Sequence, residues 1–199
     1  LARDDEALRG AAEALLDGRI VAVKGLGGLH LCCDGRDEAA VARLRAGKVR
    51  REKPFALMVK DVAAARALCE VPPAAERWLL SPEAPILLLP RLGLAAAVLV
   101  APNVAPESTR LGLMLPSTPL HHLLLAAVDV PLVATSGNLS DEPIATDELE
   151  AVTRLGPLAD FFLVHDRPVE RHADDSVGWL HGEELQLLRR ARGFAPLPV

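Results

Sequence analysis

A cluster of basic residues lies in the stretch RAGKVRREKPFALMV, residues 45–59. It holds five cations and one acid just before an apolar run, although the whole chain has a formal net charge of -5. Arginine offers a planar fork to phosphate oxygens and lysine a compact charge, so converging cations suit a polyphosphate. The alternative is that they only stabilise the end of a preceding helix. We take Lys48, Arg50 and Lys53 as candidate phosphate-binding residues, with Arg51 beside them.

Two further stretches could complete a nucleotide site. ATSGNLSDEP, residues 134–143, places Ser136, Asn138 and Ser140 directly after an apolar strand, where open α/β sheets bind ligands. Such residues are also typical of plain turns. RRARG, residues 189–193, is a second basic cluster and supplies Arg190 and Arg192. With a glycine turn, these groups could together hold a nucleoside triphosphate.

The glycine turn KGLGG, residues 24–28, follows an apolar strand. It is not a dinucleotide-binding fingerprint, because His30 stands where the third glycine is needed, and RAGKV lacks the upstream glycine of a P-loop. The turn needs either positive φ angles or a close approach of the backbone to a ligand.

HDRPVERHADDSV, residues 165–177, groups two histidines with several acids. A zinc site is conceivable there, but no H-E-x-x-H pattern occurs, and a charged hairpin turn is favoured. His121 and His122 are adjacent in a predicted helix and point about 100° apart, so we expect one of them to pack in the core.

The pattern of apolar residues predicts a mixed α/β sheet. Helices are predicted at residues 3–18, 37–48, 61–69, 117–128 and 147–155, with Asp37, Ser117 or Thr118, and Asp147 as N-caps and Glu150 completing a capping box. Strands are predicted at residues 19–25, 53–60, 84–91, 110–116, 130–136, 160–166, 176–182 and 184–191. A chain in which strands alternate with helices, and which ends in pairs of strands, is typical of a mixed α/β sheet.

Length and composition narrow the possible functions. A chain of 199 residues that is half hydrophobic suits one domain. The 3% aromatic content leaves little for base stacking, and an acidic chain without a broad basic stripe argues against RNA binding.

Three cysteines without a C-x-x-C motif indicate a cytoplasmic setting. No apolar run reaches membrane-spanning length. Because the chain begins at Leu1, we expect a piece excised from a longer protein.

Six motifs together resemble a known family. They are VAVKGLGGLHLCCD, RREKPFALMV, LGLMLPSTPLHHLLL, PLVATSGNLSDEPI, HDRPVERHADDSV and LRRARGFAP. In this order, from about Leu8 to Pro196, the chain resembles the YrdC-like domain of the HypF carbamoyltransferases. The resemblance implies a twisted mixed β-sheet with flanking helices and a large concave ligand cavity. Residues 1–199 would form a single YrdC-like adenylation domain.

The resemblance also implies an activity. Carbamate derived from carbamoyl phosphate would be adenylated by ATP with Mg²⁺, giving carbamoyl adenylate and pyrophosphate. The remaining HypF domains would pass the carbamoyl group to the partner HypE, as a step towards the cyanide ligands of [NiFe]-hydrogenase. Lys48 and Arg50 match the family's Lys-x-Arg element, and Ser136 and Asn138 match its Ser-x-Asn loop.

The related threonylcarbamoyl-AMP synthases have a threonine-rich stretch where this chain has the glycine turn. Here Lys24, Gly27, Gly28 and His30 replace it in the HypF manner, which disfavours threonine as a substrate. Lys24 and His30 are therefore expected to hold carbamate beside the α-phosphate. The alternatives are a threonylcarbamoyl-AMP synthase in tRNA modification, a double-stranded RNA-binding module and a catalytically idle interaction domain.

Overall fold

The computed structural model describes residues 1–50, 52–93, 99–139 and 142–196. Arg51, Ser140 and the centre of the Ala/Val-rich segment after residue 91 lie outside the described residues. The strands are, in chain order, β1 (Val21–Lys24), β2 (Leu29–Asp34), β3 (Ala56–Met58), β4 (Ile86–Pro90), β5 (Arg110–Met114), β6 (Leu132–Ser136), β7 (Phe161–Leu163), β8 (Val177–His181) and β9 (Glu184–Arg189).

The described helices lie between these strands along the chain, singly or, for α3 and α4, as a pair. They are α1 (Asp4–Leu16), α2 (Glu38–Gly47), α3 (Val62–Leu68), α4 (Pro73–Leu79), α5 (Pro119–Val128) and α6 (Glu148–Leu155), with a 3₁₀ turn at Pro102–Val104. None of the helices in the described part of the chain has the length and apolar character that a membrane crossing requires.

All nine strands form one sheet in the order β7-β1-β2-β6-β3-β5-β4-β8-β9. The pairs β1–β7, β3–β5 and β4–β8 are parallel, and the other neighbours are antiparallel. This confirms the predicted mixed α/β sheet with flanking helices. The sequence patterns missed β2 and α4.

Side chains alternate between the two faces of the sheet, and each face has its own hydrophobic cluster. On one face, Leu57 and Leu113 pack with α2, α3, α4 and α6. On the other face, Met58 and Met114 belong to the cluster of α1 and α5. The sheet is thus the middle layer of three.

The predicted charged hairpin at residues 165–177 is wrong. β7 forms one edge of the sheet, whereas β8 lies next to the strand at the opposite edge. The connection between them, residues 164–176, therefore crosses the sheet, and we call it the crossing segment. It contacts the glycine turn, because the backbone N–H of Ala173 donates to the carbonyl oxygen of Gly27 at 3.0 Å.

The helix N-termini follow the sequence prediction closely. Asp37 caps α2, Thr118 caps α5 and Asp147 caps α6 through side-chain oxygens that accept backbone N–H groups. The predicted capping box at α6 is half right, because the carboxylate of Glu150 accepts from Arg154. Capping matters most at α2, since that helix ends at the predicted phosphate-binding cluster.

We expect the substitution Asp37→Ala to lower the free energy of unfolding by about 1 kcal/mol, because two backbone N–H groups of α2 lose their acceptor. Urea denaturation followed by circular dichroism measures the change. Glu70→Ala removes an exposed acid outside the helices and serves as the control. Equal stability of the two variants would show that the cap contributes nothing.

Candidate functional site

A cavity of about 350 Å³ opens over the middle of the sheet, and we call it the main cavity. Its floor includes three small residues in register on adjacent strands, Ala134 of β6, Ala56 of β3 and Gly112 of β5. Larger side chains at these positions would fill the space. The volume lies in the range of small-molecule sites. The polar residues of the wall are Arg50, Lys53, Thr135, Ser136, Asp174, Asp175 and Arg189.

Helix α2 delivers the basic cluster to this cavity. Lys48 is the C-cap residue of α2, and its backbone N–H donates to the carbonyl oxygen of Leu44 at 3.0 Å. Val49 then has a φ of 51°, a left-handed conformation that β-branched residues rarely adopt. The chain thus leaves the helix sharply between the two residues of the Lys-x-Arg element.

Arg45 holds the loop that follows. Its Nη1 donates to the carbonyl oxygens of Arg50 at 2.9 Å and Lys53 at 3.1 Å, and its Nη2 donates to that of Asn103 at 2.6 Å. The guanidinium also lies 4.5 Å from the ring centre of Phe55. Burial lowers the pKa of Arg45. Arg45 is therefore a structural cation of the cluster and does not line the main cavity.

Arg50 and Lys53 are two cations that face the main cavity. Arg50 donates from Nη1 to Thr135 Oγ1 at 3.1 Å and lies over Phe55. Within the described residues neither side chain forms an ion pair. Burial, followed by the charges of Arg45 and Arg189, lowers the pKa of Arg50 to about 10. Burial and the nearby arginines likewise lower the pKa of Lys53. Such a wall favours an anionic ligand.

Lys48 joins the basic cluster to the Ser-x-Asn loop. Its Nζ donates to the carbonyl oxygens of Ser136 at 2.6 Å and Asn138 at 2.9 Å, and to Asn138 Oδ1 at 2.9 Å. The hydroxyl of Ser136 donates to the same Oδ1 at 2.7 Å. Burial, then the charges of Arg50 and Lys53, lower the pKa of Lys48 to about 8. The structure thus brings together these two predicted motifs.

His30 starts a chain of polar groups at the glycine-turn end of the site. Its Nε2 lies 3.1 Å from Asp175 Oδ2, and Asp175 Oδ1 accepts from Arg192 Nη2 at 2.8 Å. These three residues line a second, narrow cavity of about 10 Å³ beside the glycine turn. Asp175 is also part of the wall of the main cavity, so this residue adjoins both cavities.

His121 packs behind His30, with 5.5 Å between their ring centres. His121 is buried and His122 is exposed, which confirms that one of the pair packs in the core. Burial, then the neighbouring His30, lower the pKa of His121 to about 3, so this imidazole is neutral. Neither of its ring nitrogens has a hydrogen-bond partner in the described structure.

The structure separates Lys24 from His30. Along β1, Val23 belongs to the cluster of α1 and α5, so strand alternation places Lys24 on the opposite face. Its register partner Leu29 packs on that opposite face too, whereas His30 follows on the side of the main cavity. The buried ammonium of Lys24 pairs with Glu148 and donates to the carbonyl oxygen of His165 at 3.1 Å. Because the two side chains lie on opposite faces of the sheet, the expectation that Lys24 and His30 together bind carbamate needs correction.

The structure places the arginines of the second basic cluster, residues 189–193, in different surroundings. Arg190 is exposed and lines neither of the two cavities, whereas Arg189, which sequence analysis left out of the site, lines the main cavity. A β-bulge opposite Val177 and Gly178 lets Leu188 and Arg189 both face the cavity, which simple alternation could not have predicted. Arg192 binds Asp175 and the carbonyl oxygen of Ala84 instead of reaching the main cavity.

Metal ligands and nucleophiles are sparse around the site. Across the described ranges, no group of three or more His, Cys, Asp or Glu side chains could hold a metal ion. Asp174 presents a carboxylate to the main cavity, with its Oδ1 3.9 Å from Arg189 Nη1. Burial raises the pKa of the Cys32 and Cys69 thiols to about 12, which disfavours the reactive thiolates.

Comparison with known proteins points to one group of enzymes. The chain is 45% identical over 199 residues to carbamoyltransferase HypF of Synechocystis, covering 100% of this chain and 26% of that protein. It is 49% identical over 186 residues to carbamoyltransferase HypF of Rhodobacter capsulatus, covering 94% of this chain and 24% of that protein. The chain thus spans about a quarter of the length of these relatives.

A crystal structure of full-length HypF in a phosphate- and nucleotide-bound form superposes with a TM-score of 0.92 at 44% sequence identity. The match covers 98% of this chain and 25% of that one. These similarities confirm the resemblance predicted from the six motifs. The model of the Sua5/YciO/YrdC family, described as telomere recombination, matches residues 13–191, and the chain therefore belongs to this family.

Proposed function

We propose that this chain binds ATP in the main cavity and uses it to adenylate carbamate. A carbamate oxygen attacks the α-phosphorus, the bond from the α-phosphorus to the bridging oxygen of the β-phosphate breaks, and pyrophosphate leaves with that electron pair. Carbamoyl adenylate remains. The observation that carries the proposal is the pair of cations, Arg50 and Lys53, that face the main cavity and form no ion pair with another described residue.

The similarity to HypF supports the choice of reaction. The relatives are named carbamoyltransferases, and one related structure is described as nucleotide-bound. Because this chain spans about a quarter of them, the supply of carbamate from carbamoyl phosphate, the later transfer to HypE and the other HypF domains all stay proposals. The cytoplasmic setting inferred from the cysteine pattern also stays a prediction.

The residues of the main cavity suit the reaction electrostatically. Charge builds on the phosphate oxygens and on pyrophosphate as the bond breaks, and fixed cations stabilise that charge. Arg50, Lys53 and Arg189 would bind the triphosphate. Lys48, which lies behind the wall of the main cavity, would contribute positive charge to the site. It would also hold Ser136 and Asn138 in place. The reaction needs no covalent nucleophile.

Mg²⁺ fits this site as a partner of the nucleotide. It binds through one or two carboxylates together with phosphate oxygens, so it needs no cage of protein ligands. Asp174 is the residue that would hold it, because its carboxylate lies on the main-cavity wall beside the cations. The ion would neutralise charge on the phosphates when bound.

Arg50→Ala should weaken ATP binding by roughly 10- to 100-fold, because a hydrogen bond to a charged group contributes about 1.5–3 kcal/mol. Isothermal titration with ATP and Mg²⁺ measures the dissociation constant, and a thermal melt checks the fold. Arg77→Ala, on the exposed face of α4, is the matched control. Unchanged affinity in a folded Arg50→Ala variant would refute the role of the main cavity.

ATP affinity should fall as the pH rises from 7 to 9. Lys48 has a pKa of about 8 in the free protein, so it is charged below that pH and increasingly neutral above it. A bound triphosphate favours the charged form, and ATP is therefore bound more tightly at the lower pH. Titration at several pH values measures the trend. Lys48→Met should flatten it, and an equally steep profile in that variant would assign the titration elsewhere.

Lys24→Met should lower stability without selectively removing catalysis. The substitution leaves Glu148 and the carbonyl of His165 without their donor, and it acts on the sheet face opposite the main cavity. Glu148→Gln weakens the same pair from the other side. We expect both variants to keep carbamate-dependent exchange of pyrophosphate into ATP within about threefold of the original chain, with lowered melting temperatures. Selective loss of exchange in Lys24→Met would restore its predicted contact with carbamate.

A further inference from the structure

One acidic side chain adjoins both cavities. The main cavity has three cations on its wall, Arg50, Lys53 and Arg189, together with Asp174, whereas Asp175 lines both this cavity and the narrow one, and we call its position the junction. A small ligand at this junction would therefore meet cations on one side and an acceptor on the other. Such a site can orient a ligand that has an anionic end and a hydrogen-bond donor at the other end.

Asp175 is held as an ionised acceptor. Burial alone would raise the pKa of this carboxyl, but the charges and hydrogen bonds of His30 and Arg192 hold it well below its usual value. An ionised carboxylate accepts hydrogen bonds and donates none. Oδ1 accepts from both Nε and Nη2 of Arg192, whereas Oδ2 has one partner, His30, so the remaining lone-pair capacity lies on Oδ2. The group thus suits an N–H donor of a ligand.

The narrow cavity has room for about one water-sized group, since its volume is about 10 Å³. Its walls are closely packed. A Cβ atom on Gly27 would lie 2.3 Å from the carbonyl oxygen of Ala173, and one on Gly28 would lie 2.2 Å from Ile144 Cγ2. Ile144 and the crossing segment thus pack tightly against the glycine turn and form two of the walls of the cavity.

On the basis of the carbamate adenylation proposed above, we propose that Asp175 binds the amino group of carbamate and that the narrow cavity admits this group only when it is unsubstituted. The carboxylate end of carbamate then points away from Asp175 towards the cations and the α-phosphate. A carbon substituent on the nitrogen would need space that Gly28 and Ile144 leave unavailable. His30 and Arg192 act as positioning residues, because they hold Asp175.

The inference is tested with two substrates that differ by one methyl group. The 199-residue chain is assayed for exchange of labelled pyrophosphate into ATP, with ammonium carbamate or with N-methylcarbamate formed from methylamine and bicarbonate. We expect kcat/KM for N-methylcarbamate to be at least tenfold lower. Equal use of both would overturn the inference while leaving adenylation intact. Exchange with neither, in a protein that binds ATP, would instead refute the adenylation itself.

A widened cavity gives a gain of function that a misfolded protein could not show. Ile144→Ala, or Ile144→Val if the first variant is unstable, should raise the ratio of N-methylcarbamate to carbamate use at least threefold. Ile20→Ala is the control, since it shortens a buried isoleucine that lines neither of these cavities. An unchanged ratio in a folded Ile144 variant would show that this wall does not set the selectivity.

Asp175→Asn tests the acceptor separately. We expect a loss of at least tenfold in kcat/KM for carbamate, with ATP bound no more weakly than by the original chain, because the substitution removes a negative charge from the wall of the main cavity. Equal losses in carbamate use and ATP binding would reduce Asp175 to a structural role in holding His30 and Arg192.

Discussion

The site depends on a buried guanidinium that has no acidic partner in the described structure. Arg45 is 8% exposed, and its donors reach the carbonyl oxygens of Arg50, Lys53, Asn103 and Val104. A buried charge is costly unless its hydrogen-bonding capacity is satisfied, and carbonyl oxygens can satisfy it without cancelling its charge. The loop is thereby fixed while the local potential stays positive. A carboxylate in place of these carbonyl oxygens would also accept hydrogen bonds from Arg45. It would, however, neutralise the positive potential that an anionic ligand needs.

Local sequence rules predicted the helix N-caps that help to position the site. The N-caps Asp37 and Asp147 were predictable, and that of α5 was narrowed to Ser117 or Thr118, because each cap depends on a polar side chain and the few residues that follow it. The pairing of the Lys-x-Arg element with the Ser-x-Asn loop came from the family resemblance. Lys48 is where the two motifs meet, with hydrogen bonds from one ammonium to both Ser136 and Asn138.

The missed features share a physical cause. β2 is almost continuously buried and carries no alternating pattern, so periodicity could not identify it. Lys24 pairs with Leu29 of that missed strand, so the sequence did not show that the next residue, His30, lies on the other face of the sheet. The position of Arg189 depends on a bulge. The small residues of the cavity floor lie on three strands that are distant in sequence. Only the folded sheet shows that they share one surface.

The crossing segment also has a consequence for the order of folding. It joins two strands that are close in sequence but lie near opposite edges of the sheet, so its final path exists only after the intervening strands have paired. Asp174, Asp175 and Arg189 come at or after the end of this segment, and they form one wall of the main cavity. During synthesis from the N-terminus, a chain that stops before residue 174 lacks that wall, although most of the sheet is already present. The main cavity is therefore completed late, when residues 174–189 have been added.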